Sequence, residues 1–158
     1  MNRKNKFRGR IAVTGRWVYG NLVIIRSCKR PVIAEQGGLL FYENEYEVND
    51  VGQFTGLLDV DGKEIYESDI VVKPGYIWFD NKIPNYRGVV AWVYSQWQVI
   101  AHCVNADKQG ISHGMNYGLN YDGFDDGDRT DWRIIGNVHD NPELHGRKGT
   151  FNQEAREA

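Results

Sequence analysis

The sequence predicts a mainly β protein, with a β-dominated α+β arrangement as the alternative. Three observations carry that expectation. Short apolar runs recur along the chain, separated by Gly, Asp and Asn. Glycine occupies 18 of 158 positions and proline only four, a balance suited to many tight turns. No window longer than about ten residues carries convincing 3.6-residue periodicity before the C-terminal tail.

The elements follow in order. Ile11-Ala12-Val13 reads as a strand turned at Thr14-Gly15 into Trp17-Val18-Tyr19 and Leu22-Val23-Ile24-Ile25, with Gly20 marking a bulge or a close backbone approach. Val32-Ile33-Ala34 and Leu39-Leu40-Phe41-Tyr42 flank a turn at Gly37-Gly38. Leu57 to Val60 and Lys63 to Tyr66 flank Asp61-Gly62, a pair that accepts the dihedrals of a type I′ hairpin. Asp69 to Lys73 stops at Pro74-Gly75. Gly88 to Tyr94 and Trp97 to Val104, with Ser95-Gln96 to turn between them, lack a polar face and predict strands buried on both sides. Residues 105–126 read as a long loop or insertion, Trp132 to Val138 as the last strand, closed by Asn141-Pro142, and 147–158 as a polar tail. With no internal repeat and no low-complexity linker, the expected organisation is one domain over 1–145 followed by a tail over 146–158.

Composition excludes several classes. Two cysteines rule out a disulfide scaffold, and no apolar run approaches the roughly 20 residues of a bilayer span. The N-terminus has a basic start without an apolar stretch behind it, so no signal peptide is readable and a cytoplasmic location is expected.

The formal charge of −2 hides an uneven distribution. Nine cations precede the first acidic residue, Glu35, and the remainder is correspondingly acidic. Such an arm can sit on phosphates or on an acidic surface, and Asp122, Asp125, Asp126, Asp128 and Asp131 offer one in the same chain. The candidate nucleic-acid contacts are Arg3, Lys4, Lys6, Arg8 and Arg10.

A resemblance enters at residues 51–71. The stretch Val51-Gly52-Gln53-Phe54-Thr55-Gly56-Leu57-Leu58-Asp59-Val60-Asp61-Gly62-Lys63-Glu64-Ile65-Tyr66-Glu67-Ser68-Asp69-Ile70-Val71 resembles the signature of the YopX family of bacteriophage and prophage proteins. Lys6-Phe7-Arg8-Gly9 with Gly15 to Gly20 resembles that family's opening, and Ile135-Gly136-Asn137-Val138-His139-Asp140-Asn141-Pro142-Glu143-Leu144 its closing motif. Together they bracket residues 6–144. Ser68 departs from the pattern, which has Gly before Asp69, and residues 105–126 do not align. The resemblance implies a small SH3-like barrel with added hairpins and loops, a phage or integrated-element origin in a bacterial host, and a role not yet characterised. It supplies no catalytic residues.

Physically, Phe54, Leu57, Ile65, Tyr66, Ile70 and Val72 can fill one small core, with Gly52, Gly56 and Gly62 at turns and Asp69 bonding adjacent backbone. The competing reading takes Asp59, Asp61, Glu64, Glu67 and Asp69 as oxygen ligands of a metal-dependent enzyme, although their spacing is not that of a calcium loop. No phosphate loop, nucleophile elbow or His-Glu-x-x-His motif is present. Cys28 and Cys103 lie in or beside apolar strands as inert thiols, and His102-Cys103 neighbours point to opposite faces of a strand. His113 and His139 read as surface or turn residues. No cofactor is expected.

Aromatic residues are the better lead. Five Trp, nine Tyr and six Phe exceed what one small core hides. Trp78, Trp92, Tyr94, Trp97, Tyr117 and Tyr121 form the candidate interaction surface, because such side chains bury large area while keeping a polar handle. The sequence therefore points to a non-catalytic binding or assembly module that self-associates or binds a protein partner. A nucleic-acid-binding accessory protein is the alternative and a metal-dependent enzyme the third.

Overall fold

The computed structural model describes residues 5–26, 29–35, 45–73, 77–78, 81–82, 85–104, 111–119 and 128–145. The strands are β1 (Phe7–Ile11), β2 (Trp17–Ile25), β3 (Arg30–Glu35), β4 (Glu45–Leu58), β5 (Glu64–Tyr66), β6 (Asp69–Lys73), β7 (Ile77–Trp78), β8 (Asn81–Lys82), β9 (Asn85–Val93), β10 (Gln96–Val104), β11 (Ile111–Gly118) and β12 (Arg133–Asn137). A 3-10 turn at Pro142–His145 is the only helical element among the described residues, so the protein is mainly β. The chain divides into two compact units, Met1–Glu67 with Asp122–Asp131, and Ser68–Tyr121 with Trp132–Ala158.

The first unit is an antiparallel sheet in the order β1-β2-β3-β4-β5, with β1 also paired to β4. The ladders β1–β2, β2–β3, β3–β4 and β4–β1 therefore form a ring, where the resemblance implied an SH3-like barrel. Gly20 makes the ring possible where β2 passes from β1 to β3, since a Cβ there would lie 1.9 Å from the Ala34 carbonyl oxygen. It is the close-approach reading of Gly20 that holds. Period-2 burial puts Val18 inside with Ile33 and Val48, and Phe7, Ile11, Leu22, Tyr46 and Val51 pack against them. The turn expected at Thr14-Gly15 is present, with Gly15 at φ 70°. It begins earlier than the apolar run implied, because Gly15 N donates to Ile11 O at 2.8 Å and leaves Val13 exposed.

The Asp61-Gly62 hairpin corrects one expectation. Leu58 pairs with Glu64, so the loop spans five residues rather than two, and only Gly62 takes positive φ. The reason is Asp59, which is fully buried and whose Oδ1 accepts from Asp61 N at 2.9 Å and Lys63 N at 2.8 Å. A carboxylate that satisfies two loop amides replaces the type I′ geometry. Gly56, at φ 88° between the Phe54–Tyr66 and Leu58–Glu64 pairs, forms a bulge that re-aims the end of β4.

The second unit holds an antiparallel sheet in the order β11-β10-β9-β6-β12 and a separate two-stranded pair, β7–β8. Its buried side chains include Ile70, Val71, Val90, Val99, Leu119 and Trp132. The signature's apolar residues are divided between the units, Phe54, Ile65 and Tyr66 in the first and Ile70 in the second, and all four are buried. Two further expectations change. Ile111–Gly118, read as loop, is strand β11, because a ladder to β10 from Val104↔Ile111 to Gln98↔Gly118 needs backbone groups rather than apolar side chains. β9, read as buried on both sides, is buried at Gly88 and Val90 and emerges at Trp92. The Gly37-Gly38 turn, Pro74-Gly75 and the tail from 146 lie outside the described residues.

Two substitutions test the backbone reading. Gly56→Ala is expected to lower stability by about 1–2 kcal/mol, because φ 88° is costly for any L side chain. Ser68 stands at φ 69° where the resemblance has Gly, and Ser68→Gly is expected to raise stability by about 0.5–1 kcal/mol. Urea unfolding curves with unchanged slope check both.

Candidate interaction surface

The N-terminal cations are built into the first sheet. Lys6, Arg8 and Arg10 alternate along one side of the chain, and β2 brings Trp17 and Tyr19 opposite through the register Arg8↔Tyr19 and Arg10↔Trp17. Lys6 and Arg8 each reach a ring diagonally: Lys6 Nζ lies 5.8 Å from the Tyr19 centroid and Arg8 Cζ 4.8 Å from that of Trp17. Arg8 also lies 5.1 Å from the Tyr66 centroid and donates from Nη2 to the Glu67 carbonyl at 3.0 Å. It is 6% exposed, a guanidinium held between two rings. Lys6 donates to Glu64 Oε2 at 2.6 Å, and the Tyr66 hydroxyl donates to the same oxygen at 2.7 Å. Burial and this carboxylate push the Tyr66 phenol far above its usual value. Arg10 lies 3.6 Å from Asp50, and Arg30 bonds both oxygens of Glu47 at 2.9 Å.

Among the described residues Lys6, Arg10 and Arg30 pair with carboxylates on β4 and β5, strands that β-pairing brings alongside. Arg3, Lys4, Asp122, Asp125 and Asp126 lie outside the described residues, and Asp128 and Asp131 are exposed.

The signature residues each have a packing or turn role. Gly52 lets the chain at Glu67 approach, since a Cβ would sit 2.8 Å from the Glu67 oxygen that Arg8 holds. Gln53 O accepts from Glu67 N at 2.9 Å, and Phe54 N donates to Lys6 O at 2.8 Å. The Phe54 and Tyr66 rings lie 5.5 Å apart. Thr55 Oγ1 donates to Ile65 O at 2.9 Å and accepts from Leu57 N at 3.2 Å. In the second unit, Asp69 is buried at the start of β6. In the closing motif Asn137 Oδ1 accepts from His139 N at 3.0 Å and Asp140 N at 2.9 Å, while its Nδ2 donates to Asp140 Oδ2 at 2.9 Å. Asn141 packs where Gly136 lacks a Cβ, and Pro142 opens the 3-10 turn. The signature carboxylates do not gather: among the described residues no group of three or more His, Cys, Asp or Glu side chains could hold a metal ion.

The aromatic tip of the β9–β10 hairpin is different in kind. Trp92 and Trp97 face each other across the ladder with centroids 5.0 Å apart at 73°, edge to face. Val93 pairs with Gln96, so the turn is Tyr94-Ser95, one residue earlier than expected, with φ 47° and 64°. Positive φ at both central residues is the type I′ pattern that Asn-Gly fills at least cost. Here it carries a tyrosine 72% exposed, beside a tryptophan 53% exposed. Of the six candidate surface residues, the structure brings these three together. Trp78 lies on β7 and Tyr117 on β11; their side chains, and Tyr121, lie outside the described residues.

Sequence reasoning missed the stack on Arg8 and the exposed end of the β2–β3 hairpin at Ile24 and Ile25. Aligning the Lys6, Arg8, Arg10 alternation against Trp17 and Tyr19 across the Thr14-Gly15 turn would have found the first.

Two antiparallel sheets, a signature used for turns and packing, and one protruding aromatic hairpin define the class: a mainly β protein whose distinctive motifs are structural. The chain belongs to the YopX family, whose model for the YopX protein matches residues 6–145. No curated protein matches the chain.

Arg8→Lys is expected to destabilise by about 2–4 kcal/mol, because an ammonium neither stacks between two rings nor keeps the Nη2 bond to the Glu67 carbonyl. Thermal melting with a double-mutant cycle against Trp17→Ala checks it, the two losses being strongly non-additive. A second expectation concerns alkali. Tyr66 ionises at about 10 in the unfolded chain but stays protonated in the folded one, so its contribution is complete below that pH and is lost as pH rises above it. Tyr66→Phe is expected to flatten the fall in stability between about pH 10 and 11.5, measured by denaturant midpoints.

Proposed function

We propose that this YopX-family chain is a phage- or prophage-derived, non-catalytic binding or assembly module that engages a protein partner or its own copies in the host cytoplasm. The observation that carries the reading is the β9–β10 tip. A turn of two non-glycine residues in the left-handed region costs stability, and strain of this kind is retained where a side chain has work to do. Its product is an outward tyrosine beside an edge-to-face tryptophan pair, with no charged residue from Gly88 to Ala101. Large rings at an exposed tip suit an interface, where burying them contributes most.

The nucleic-acid alternative draws less support. Lys6, Arg8 and Arg10, three of its five candidate contacts, are engaged with Glu64, Glu67 and Asp50. The reading needs no cofactor and no catalytic residue. Among the described residues no helix is long and apolar enough to cross a membrane.

Tyr94→Asn with Ser95→Gly supplies the preferred turn and removes the ring. The double variant is expected to melt at or above the native temperature while losing the proteins, or the self-association, that the native chain shows in quantitative pull-downs from induced host cells. Full retention of every interaction alongside the raised melting temperature would overturn the reading.

A further inference from the structure

We propose that copies of this chain associate head to tail, the Trp92–Tyr94–Trp97 tip of one seating on the Ile24–Ile25–Arg26 end of the β2–β3 hairpin of the next. This rests on the reading of the tip given above and names its partner: a second copy.

The two ends complement each other. The tip offers electron-rich ring faces and carries no charge. In the first unit ring–cation contacts fall on Trp17, Tyr19, Tyr46 and Tyr66, and among the described residues none falls on Trp92, Tyr94 or Trp97. The β2–β3 end offers the reverse. Ile24 is 54% and Ile25 38% exposed, at the last two positions of β2, so they face opposite sides of the hairpin. Arg26 and Lys29 beside them are exposed, and among the described residues neither has an ion pair, whereas Lys6, Arg10 and Arg30 each meet a carboxylate. Indole and phenol rings that straddle the end of the hairpin exclude water around the isoleucine on either side, and the Arg26 guanidinium reaches a ring face, the pairing this chain already makes at Arg8 and Arg16. A tip-to-tip contact would set rings on rings and leave Arg26 and Lys29 unused. The contact joins different surfaces, so it is heterologous and propagates into rings or open chains.

Because the surfaces differ, variants disabled at one surface and at the other must rescue one another. Molar mass by light scattering, across a hundredfold range of concentration, is compared for the native chain, Trp92→Ala, Arg26→Glu and their equimolar mixture. The native chain is expected to grow in mass with concentration, and each variant alone to associate at least tenfold more weakly. The mixture is expected to reach the mass of two chains, since one intact pair of ends remains. Tyr94→Asn with Ser95→Gly serves as a second tip variant should Trp92→Ala shift the melting curve, and Arg26→Glu alters an exposed turn residue. Native mass that stays monomeric throughout, Arg26→Glu that associates like the native chain, or a mixture no larger than its components would each overturn the head-to-tail contact. If tip variants lose captured proteins while native mass never changes, the tip remains a docking element and this contact is the part overturned.

Discussion

The first sheet depends on how one guanidinium is kept out of water. Arginine cannot shed its proton, so burying Arg8 requires that partners replace its hydration. Two rings and a carbonyl surround it, and they come from β2, β5 and the residue after β5. The missing side chain at Gly52 lets that carbonyl close on the sheet, while Phe54 and Tyr66 pack alongside. Gly52, Phe54 and Tyr66 are therefore parts of one arrangement: Gly52 leaves room, Tyr66 stacks on the arginine and Phe54 packs against Tyr66.

That arrangement changes what the charge pattern means. Read along the chain, nine cations followed by an acidic remainder suggest an arm seeking a polyanion. Read across the ladders, three of them, Lys6, Arg10 and Arg30, face Glu64, Asp50 and Glu47. Counted over the two units, the first holds eleven cations against fourteen anions and the second eight against seven. Neither is a strong field of one sign, so long-range attraction to a polyanion draws little support from the charge count.

Much of the β architecture was legible because pattern and turn chemistry agree. β6 and β12 follow from β-branched runs bounded by Asp69 and Asn137, and the Thr14-Gly15 turn from a single glycine. Legibility failed where a partner elsewhere decides the outcome. β11 has few β-branched residues and is a strand because β10 offers it an edge. Asp61-Gly62 carries the strongest turn signal in the sequence, yet the buried Asp59 carboxylate sets the loop length. At the surface, Trp92 sits in a run that reads as core, and no local pattern distinguishes a ring that is covered from one that emerges at the end of a hairpin. The signature's structural use was readable from its composition; the identity of its centre, Arg8, was not, because cations near a terminus look the same whether they are solvated or enclosed.

β4 carries a last implication. Its fourteen residues pair with β3, β1 and β5 in turn, and residues 48–53 complete the ring of ladders by meeting β1. During synthesis β1, β2 and β3 emerge first and hold an unfinished edge until β4 has left the ribosome, some forty residues after β1. The chain is exposed to wrong pairings for that interval, and a single late segment then sets the register of three neighbours at once. A one-residue slip there would misplace all of them together, so assembly of this sheet is all-or-none around β4.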